Sequence, residues 1–154
     1  PVPMARVGYG VAAKAGGPKP DISTAEKFKD VMLKAQSYTL YPESASGAFV
    51  MKTFEKLGIA EAMKPKLKPQ ANPAGIVSAV ANGDAQYGIF VTHVLNAPGL
   101  EPPVPFPAEL NSELVFVGAV AADSKQPDAA KAFLDYLKTP EAAAVFRAKG
   151  VTPG

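Results

Sequence analysis

Hydrophobic residues repeat at strand spacing in some stretches of this chain and at helix spacing in others. Residues 4–13 alternate as a strand does, and residues 37–41 and 86–91 are short runs rich in β-favouring or apolar side chains. Intervals of three and four predict two helices, which bury Phe28, Val31, Met32 and Ala35 in the first and Phe49, Val50, Phe54 and Leu57 in the second. The order of strands and helices predicts an α/β fold with a mostly parallel sheet flanked by helices.

Capping residues mark where these helices begin and end. Ser23, with Glu26 three residues later, predicts a capping box at the first helix. Gly58 predicts the end of the second helix, at about residues 47–57. Residues 72–83 predict a third helix, with an asparagine cap, a proline at the first helical position and a glycine terminator.

The last part of the chain predicts one more strand and a pair of helices. Prolines between residues 98 and 107 indicate an irregular segment. Residues 113–122 have the composition of a strand, and residues 127–137 and 141–149 show helical spacing of apolar side chains. The chain therefore ends in a helix pair.

The composition is that of a globular protein without a strongly charged surface. Of the 154 residues, 47% are hydrophobic and 19% are charged, which is not typical of a disordered chain. The net charge is +2 and no cluster of Lys and Arg is present, so nucleic acid is not predicted as a partner. With no cysteine, one histidine and no tight acidic cluster, neither a metal site nor a cofactor is predicted.

Two predicted helix starts combine polar caps with small residues. The first lies in YPESASGAF, where Ser44, Ser46 and Gly47 follow a strand, and the second is NPAG at residues 72–75. The first N–H groups of a helix lack an intrahelical acceptor and carry partial positive charge, so such ends can bind anions. Because parallel strands end at one edge of the sheet, we expect both starts where open α/β folds bind ligands. For each start, a cap that binds nothing is the alternative.

A serine hydrolase is a second interpretation of the same residues. Ser44 or Ser46, with His93 and Asp84, supplies the residue types of a catalytic triad. However, SASG lacks the glycines that a nucleophile elbow places two residues either side of its serine. Since His93 also follows a predicted buried strand, a packing role is favoured, and the chain is predicted not to be an enzyme.

Four segments together resemble the molybdate-type periplasmic solute-binding proteins, a branch of the type 2 substrate-binding family of ABC transporters. VGYGVAAKAGGPKPDISTAEKFK is similar to the crossing strand and first helix of the second lobe, and YPESASGAFVMKTFEKLGI to the strand, turn and helix that contact the ligand. ANGDAQYGIF resembles the family's G-x-A-x-x-G-I strand, and DAAKAFLDYLKTPEAAAVFRAKGVTPG its C-terminal helix pair. The resemblance covers nearly the whole chain.

The resemblance implies that a small oxyanion is held between two lobes by backbone N–H groups and hydroxyls. The matching contact positions are Ser46 and Gly47 at one helix start, and Ala74 and Gly75 at the other. Ser44 and Thr92 complete the predicted ligand-binding set. The family's tyrosine after its GI strand is missing here, where the sequence reads Phe90, Val91 and Thr92. The implied ligand is a molybdate-like anion or a small carboxylate.

The resemblance also implies an organisation and a setting. Residues 10–111 correspond to lobe two, and residues 1–9 and 112–154 to crossing strands and the C-terminal part of an incomplete lobe one. No signal peptide is visible, and we expect a fragment, with weakened binding, of a longer periplasmic or extracytoplasmic protein that works with an ABC permease. The effector-sensing domain of a transcriptional regulator is the alternative on the same fold class.

An incomplete lobe one is expected to leave apolar side chains uncovered, namely Phe133, Leu134, Leu137 and Val145. Leaving such side chains in water forfeits about 1.5–3 kcal/mol each. We therefore expect this face to pack on lobe two in a position that the family does not use, or to pair with another chain as a homodimer or domain swap.

Overall fold

A long first strand, β1 (Val2–Ala13), takes part in both of the units into which the chain divides. The computed structural model describes residues 1–154. Unit 1 comprises Pro1–Val7 and Glu113–Gly154, and unit 2 comprises Gly8–Ser112. No helix has the length and apolar character needed to cross a bilayer.

Unit 2 is built from helices and short strands that alternate along the chain. Its elements after β1 are α1 (Ala25–Lys34), β2 (Tyr38–Leu40), α2 (Ala45–Lys56), α3 (Ala60–Met63), β3 (Leu67–Pro69), α4 (Pro73–Ala81), β4 (Tyr87–Val91), α5 (Thr92–Leu95) and β5 (Val104–Pro105). The strands lie in the order β3-β2-β4-β1-β5. The α/β fold with a sheet flanked by helices agrees with the prediction.

The direction of β1 is the feature that the hydrophobic pattern does not give. β2 pairs in parallel with β3 and β4, whereas β1 runs antiparallel to β4 and β5. A period of two specifies which side chains share a face of a strand and not the direction of its neighbour. The parallel part of the sheet is therefore the β3-β2-β4 group, and this group positions the two helix starts.

The core of unit 2 lies between the sheet and its helices. Phe28 and Met32 of α1, with Val50 and Phe54 of α2, are fully buried, whereas Val31, Phe49 and Leu57 are only half-buried. Tyr38 on β2 is 0% exposed and meets Phe54 edge-on, with ring centroids 5.4 Å apart. Its hydroxyl has no hydrogen-bond partner, and burial raises the pKa of Tyr38 to about 12.

The helix boundaries follow the capping chemistry, with one correction. The N-cap of α1 is Thr24 and not Ser23: the Thr24 hydroxyl accepts from Lys27 N at 3.1 Å. Ser23 instead donates its hydroxyl to Asp21 at 2.9 Å, in a local turn just before the helix. The hydrogen bond to Asp21 therefore engages the hydroxyl of Ser23, the residue that the pattern assigns to the cap.

Unit 1 contains β6 (Glu113–Gly118), α6 (Pro127–Tyr136), α7 (Pro140–Ala148) and β7 (Thr152–Pro153), with the first part of β1. β7 pairs antiparallel with β1 through Ala5 and Pro153, and Gly154 N donates to Met4 O at 2.8 Å. The predicted strand and helix pair are both present.

The helices of unit 1 keep large apolar side chains in water. Phe133 is 60% exposed and Val145 is 58% exposed, while Leu134 and Leu137 are half-buried. The uncovered apolar face that the sequence predicts is therefore present at Phe133 and Val145, and what covers it stays a prediction. The apolar surface of α6 and α7 remains open to solvent.

Candidate functional site

Two adjacent parallel strands bring two helix starts to one edge of the sheet. Leu40, the last residue of β2, pairs with Pro69, the last residue of β3. Gln70 N donates to Leu40 O at 2.9 Å, which holds the ends of the strands together. Each strand then continues through a short turn into a helix, α2 or α4. The two helix starts therefore share the carboxyl edge of the sheet, as the sequence predicts.

The start of α2 is capped by Ser44. Its hydroxyl accepts from Gly47 N at 3.0 Å and donates to Tyr41 O at 2.7 Å, so both of its hydrogen-bonding functions are in use. Ala48 N donates to Ser44 O in the first intrahelical bond. The N–H groups of Ala45 and Ser46 remain without an acceptor, since helix geometry offers them none.

The start of α4 has the same kind of cap and fewer free donors. Asn72 Oδ1 accepts from Gly75 N at 2.8 Å. The first helical residue is Pro73, which has no N–H. Ala74 is therefore the one residue of this turn whose N–H has no acceptor.

The glycines of the two starts make room for protein atoms. A Cβ on Gly47 would meet the backbone oxygens of Tyr41 and Pro42, the second at 2.6 Å. A Cβ on Gly75 would lie 2.6 Å from Gln70 Oε1 and 3.2 Å from Gln70 Cβ. These contacts, with the two capping bonds, account for both glycines without a ligand. The small residues predicted to admit a ligand are in contact with the turns that precede them.

Between the two turns lies a depression of about 450 Å³, lined by Tyr41, Glu43, Pro69, Gln70 and Ala71. Its size is within the usual range for sites that bind small molecules. Glu43 is its one charged side chain, and it is exposed. An anion at the helix starts therefore meets partial positive charge from the helix dipoles and one opposing carboxylate that water can screen.

The predicted site residues divide into three groups in space. Ser44, Ser46 and Gly47 share the first turn of α2, and Ser46 is only 3% exposed. Ala74 and Gly75 share the first turn of α4. Thr92 is the first residue of α5 and follows the carboxyl end of β4. Because β4 is parallel to β2, Thr92 lies at the same edge of the sheet.

The sequence pattern overlooked Ala45 and Gln70. Ala45 supplies a free N–H because it is the first residue of α2, one position before the predicted pair. Gln70 lies against Gly75 and lines the depression. The sequence could have identified Ala45, since an N-cap at Ser44 leaves the N–H groups of residues 45 and 46 free to donate. No sequence signal marks Gln70.

The hydrolase arrangement finds no support in these contacts. The Ser44 hydroxyl donates its hydrogen bond to Tyr41 O and not to an imidazole. His93 is half-buried on α5, and desolvation by that burial lowers the pKa of its imidazole. No group of three or more His, Cys, Asp or Glu side chains could hold a metal ion.

Comparison with known proteins gives a family match over almost the whole chain. The family described as bacterial extracellular solute-binding protein matches residues 1–152. An aconitate isomerase from a Pseudomonas species is 34% identical over 146 residues, which are 93% of this chain and 55% of that protein. The molybdate-binding protein ModA of Escherichia coli K12 is 29% identical over 108 residues, 70% of this chain and 42% of that protein.

The solved structures agree on the fold. The periplasmic molybdate-binding protein of Azotobacter vinelandii superposes with a TM-score of 0.65 at 14% identity, covering 97% of this chain and 65% of that one. The chain spans about half the length of the curated relatives it matches.

Proposed function

Because the chain belongs to the family of bacterial extracellular solute-binding proteins, we propose that it serves an ABC importer by capturing a small oxyanion. The observation that carries this proposal is the pair of capped helix starts at adjacent strand ends, each preceded by a turn that lines one depression. Helix starts bind anions through N–H groups and their dipoles without any Lys or Arg.

The proposed contacts are the free donors of the two turns. These are the N–H groups of Ala45, Ser46 and Ala74, with the Ser46 hydroxyl. Gly47 and Gly75 act indirectly, because their N–H groups hold the caps in place. Thr92 contributes a further hydroxyl at the same edge. With so few donors we expect this chain to bind its ligand weakly.

Two relatives support two chemical types of ligand. The relative from E. coli is named for molybdate, a tetrahedral oxyanion, and the relative from Pseudomonas is named for aconitate, a carboxylate. Both types accept hydrogen bonds from backbone N–H groups. A molybdate-like oxyanion is the proposed ligand, and a small carboxylate is the second possibility.

The test is a titration of the ¹⁵N-labelled chain with sodium molybdate, followed through amide chemical shifts. We expect saturable changes at Ala45, Ser46 and Ala74. Ser46→Ala should weaken the binding about tenfold or more, since a hydrogen bond to a charged group contributes about 1.5–3 kcal/mol and 1.4 kcal/mol is a factor of about ten.

The matched control is Ser78→Ala, at an exposed serine of α4 away from its first turn. It should bind molybdate as the parent chain does. Shifts that appear elsewhere, or an equal loss in both variants, would contradict the proposed site. Micromolar or tighter binding by this chain would contradict the expected weakness.

The proposed setting is the periplasm or another extracytoplasmic space, and the proposed partner is the membrane permease of an ABC transporter. The family description as extracellular solute-binding supports both. Reconstitution of the permease from the same operon in liposomes would test the pairing: transport should depend on the solute-binding protein. Transport that proceeds equally without it would count against the partner.

An isomerase is the second candidate function, because the relative from Pseudomonas matches 93% of this chain. We propose binding and not catalysis for this chain, since the helix starts offer donors and no paired acid and base. Incubation with trans-aconitate, followed by NMR for formation of the cis isomer, separates the two. Turnover by the chain would establish the isomerase and refute the non-enzymatic proposal.

We further propose that the exposed apolar surface of α6 and α7 pairs with a second copy of the chain, as a homodimer or domain swap. The open side chains of Phe133 and Val145 support this pairing. Light scattering over a range of concentrations tests it, because a dimer should appear as concentration rises. A monomer throughout would rule the pairing out.

A further inference from the structure

The exposed side of α2 carries a small depression that is separate from the helix start. Its volume is about 230 Å³, and its lining residues are Phe49, Lys52, Thr53, Lys56 and Leu110. All of them lie in unit 2. We call this surface the Lys52/Lys56 depression.

The floor of the Lys52/Lys56 depression is apolar and packed against the core. The Thr53 hydroxyl donates to Phe49 O at 2.9 Å, so it is not available to a ligand. The Phe49 ring stacks on Tyr9 with centroids 4.4 Å apart, and Leu110 is buried. An occupant therefore meets hydrocarbon at the bottom and no polar group that must be satisfied.

The rim carries two positive charges without partners. Lys52 and Lys56 are four residues apart on one helix, and both are exposed. Neither forms an ion pair, whereas Lys27, Lys34 and Lys64 each do. Like charges at this spacing destabilise a helix slightly. Glu55, which lies between the two lysines in the sequence of α2, forms no ion pair with either.

We propose that the Lys52/Lys56 depression binds an acidic segment of a partner protein, with one apolar side chain in the depression and carboxylates against the two ammonium groups. The volume is suited to one large side chain and not to an extended chain. Two cations around hydrocarbon fit a short peptide better than a nucleic acid, for which phosphate contacts supply most of the affinity. Apolar anchors between charged rims are typical of protein interfaces.

The probe is the synthetic peptide acetyl-Glu-Asp-Leu-Glu-Asp-amide, titrated into the ¹⁵N-labelled chain at low salt. We expect saturable shifts at Lys52, Thr53, Lys56 and Leu110. The variant Lys52→Gln/Lys56→Gln should weaken the affinity at least about tenfold, and physiological salt should weaken it several-fold because exposed charges are screened within about 8 Å.

Two controls separate this proposal from general attraction between charges. The variant Lys131→Gln/Lys138→Gln removes the same charge from exposed lysines that also lack ion pairs, and it should keep the affinity within about twofold. A peptide with Ser in place of Leu should bind several-fold more weakly, because it cannot fill the apolar floor.

Several results would overturn the proposal. They are equal loss in both lysine variants, equal binding of the Ser peptide, tighter binding of a single-stranded oligonucleotide than of the peptide, and an absence of saturable shifts. Concentration-dependent shifts at the same four residues without peptide would assign the surface to a second copy of the chain instead.

Discussion

The starts of α2 and α4 have the same type of cap, but the start of α2 is packed more tightly. Both have a polar N-cap that accepts from the N–H of a glycine three residues later. At α2 the cap also donates to the preceding turn, and backbone oxygens close on Gly47. At α4 the cap is exposed, and the atom nearest to a Cβ on Gly75 is the Oε1 at the end of the Gln70 side chain.

This difference predicts that the two helix starts contribute unequally to stability and to anion binding. The start of α2 is fixed by backbone contacts and keeps two N–H groups free, so it is the stronger candidate for fixing an anion. The start of α4 has a proline in place of one donor, and its surroundings can adjust. Substitutions at matching positions should therefore have unequal effects.

The largest effect is expected for Gly47→Ala. The added methyl would overlap backbone oxygens of Tyr41 and Pro42, which cannot move without displacing the cap. We expect a loss of about 1–3 kcal/mol in the free energy of unfolding, which is typical of overpacking. Urea denaturation measures it, and a loss below about half a kcal/mol would show that the turn is mobile.

The next effect is the loss of the cap in Ser44→Ala. Two hydrogen bonds disappear, and we expect a cost near the upper end of the usual range of about 0.5–2 kcal/mol. Asn72→Ala removes one bond at an exposed site and should cost less. Equal costs in urea denaturation would remove the proposed distinction between the two turns.

A smaller effect is expected on the affinity for the anion. It is tested by removing a free N–H from the start of α2 and adding one to the start of α4. Ala45→Pro removes a free N–H at the first helical position, where proline is accepted and Ser44 already has the extended backbone that precedes proline. Pro73→Ala adds the missing N–H to α4. We expect molybdate binding to weaken several-fold in the first variant and to tighten in the second, with little change in stability.

Titration by NMR, with unfolding measured in parallel, checks this exchange. If the molybdate affinity of the variants changes with their free energy of unfolding and not with the number of free N–H groups, the helix starts do not bind the anion through their backbone. No change in either variant would lead to the same conclusion.

The smallest effect is expected for Gly75→Ala. Gln70 Oε1 is at the end of a side chain and can rotate away, which leaves the contact with Gln70 Cβ at 3.2 Å, to be relieved by a small shift. Alanine favours helix by up to about 1 kcal/mol over glycine. The two terms nearly cancel, so the unfolding free energy should change by less than about half a kcal/mol. A loss as large as that of Gly47→Ala would show that Gln70 is as rigid as backbone.

The sequence predicts most of this architecture because capping chemistry and hydrophobic spacing are local. Ser44, Asn72 and Gly83 mark boundaries that the structure confirms. The antiparallel entry of β1 is not encoded in any local period, and competition from Asp21 for Ser23 depends on three-dimensional geometry.

The candidate site is predicted less completely. A glycine beside a cap is expected equally where a ligand approaches and where backbone approaches, and only the three-dimensional structure distinguishes the two. Gly47 and Gly75 belong to the second case. Ser46 keeps its place because its N–H is free, while Gln70 enters through a pairing between strand ends that are distant in sequence.

The buried hydroxyl of Tyr38 gives the protein an internal optical reporter. The chain has five tyrosines and no tryptophan, so tyrosinate absorbance can be followed without interference from indole. Unfolding returns Tyr38 to an ordinary pKa of about 10 from about 12 in the fold. Stability that is present below pH 10 should fall as pH rises toward 12, since the unfolded chain releases its proton first. In alkaline stopped-flow, a slow absorbance phase would then time the opening of the core around β2.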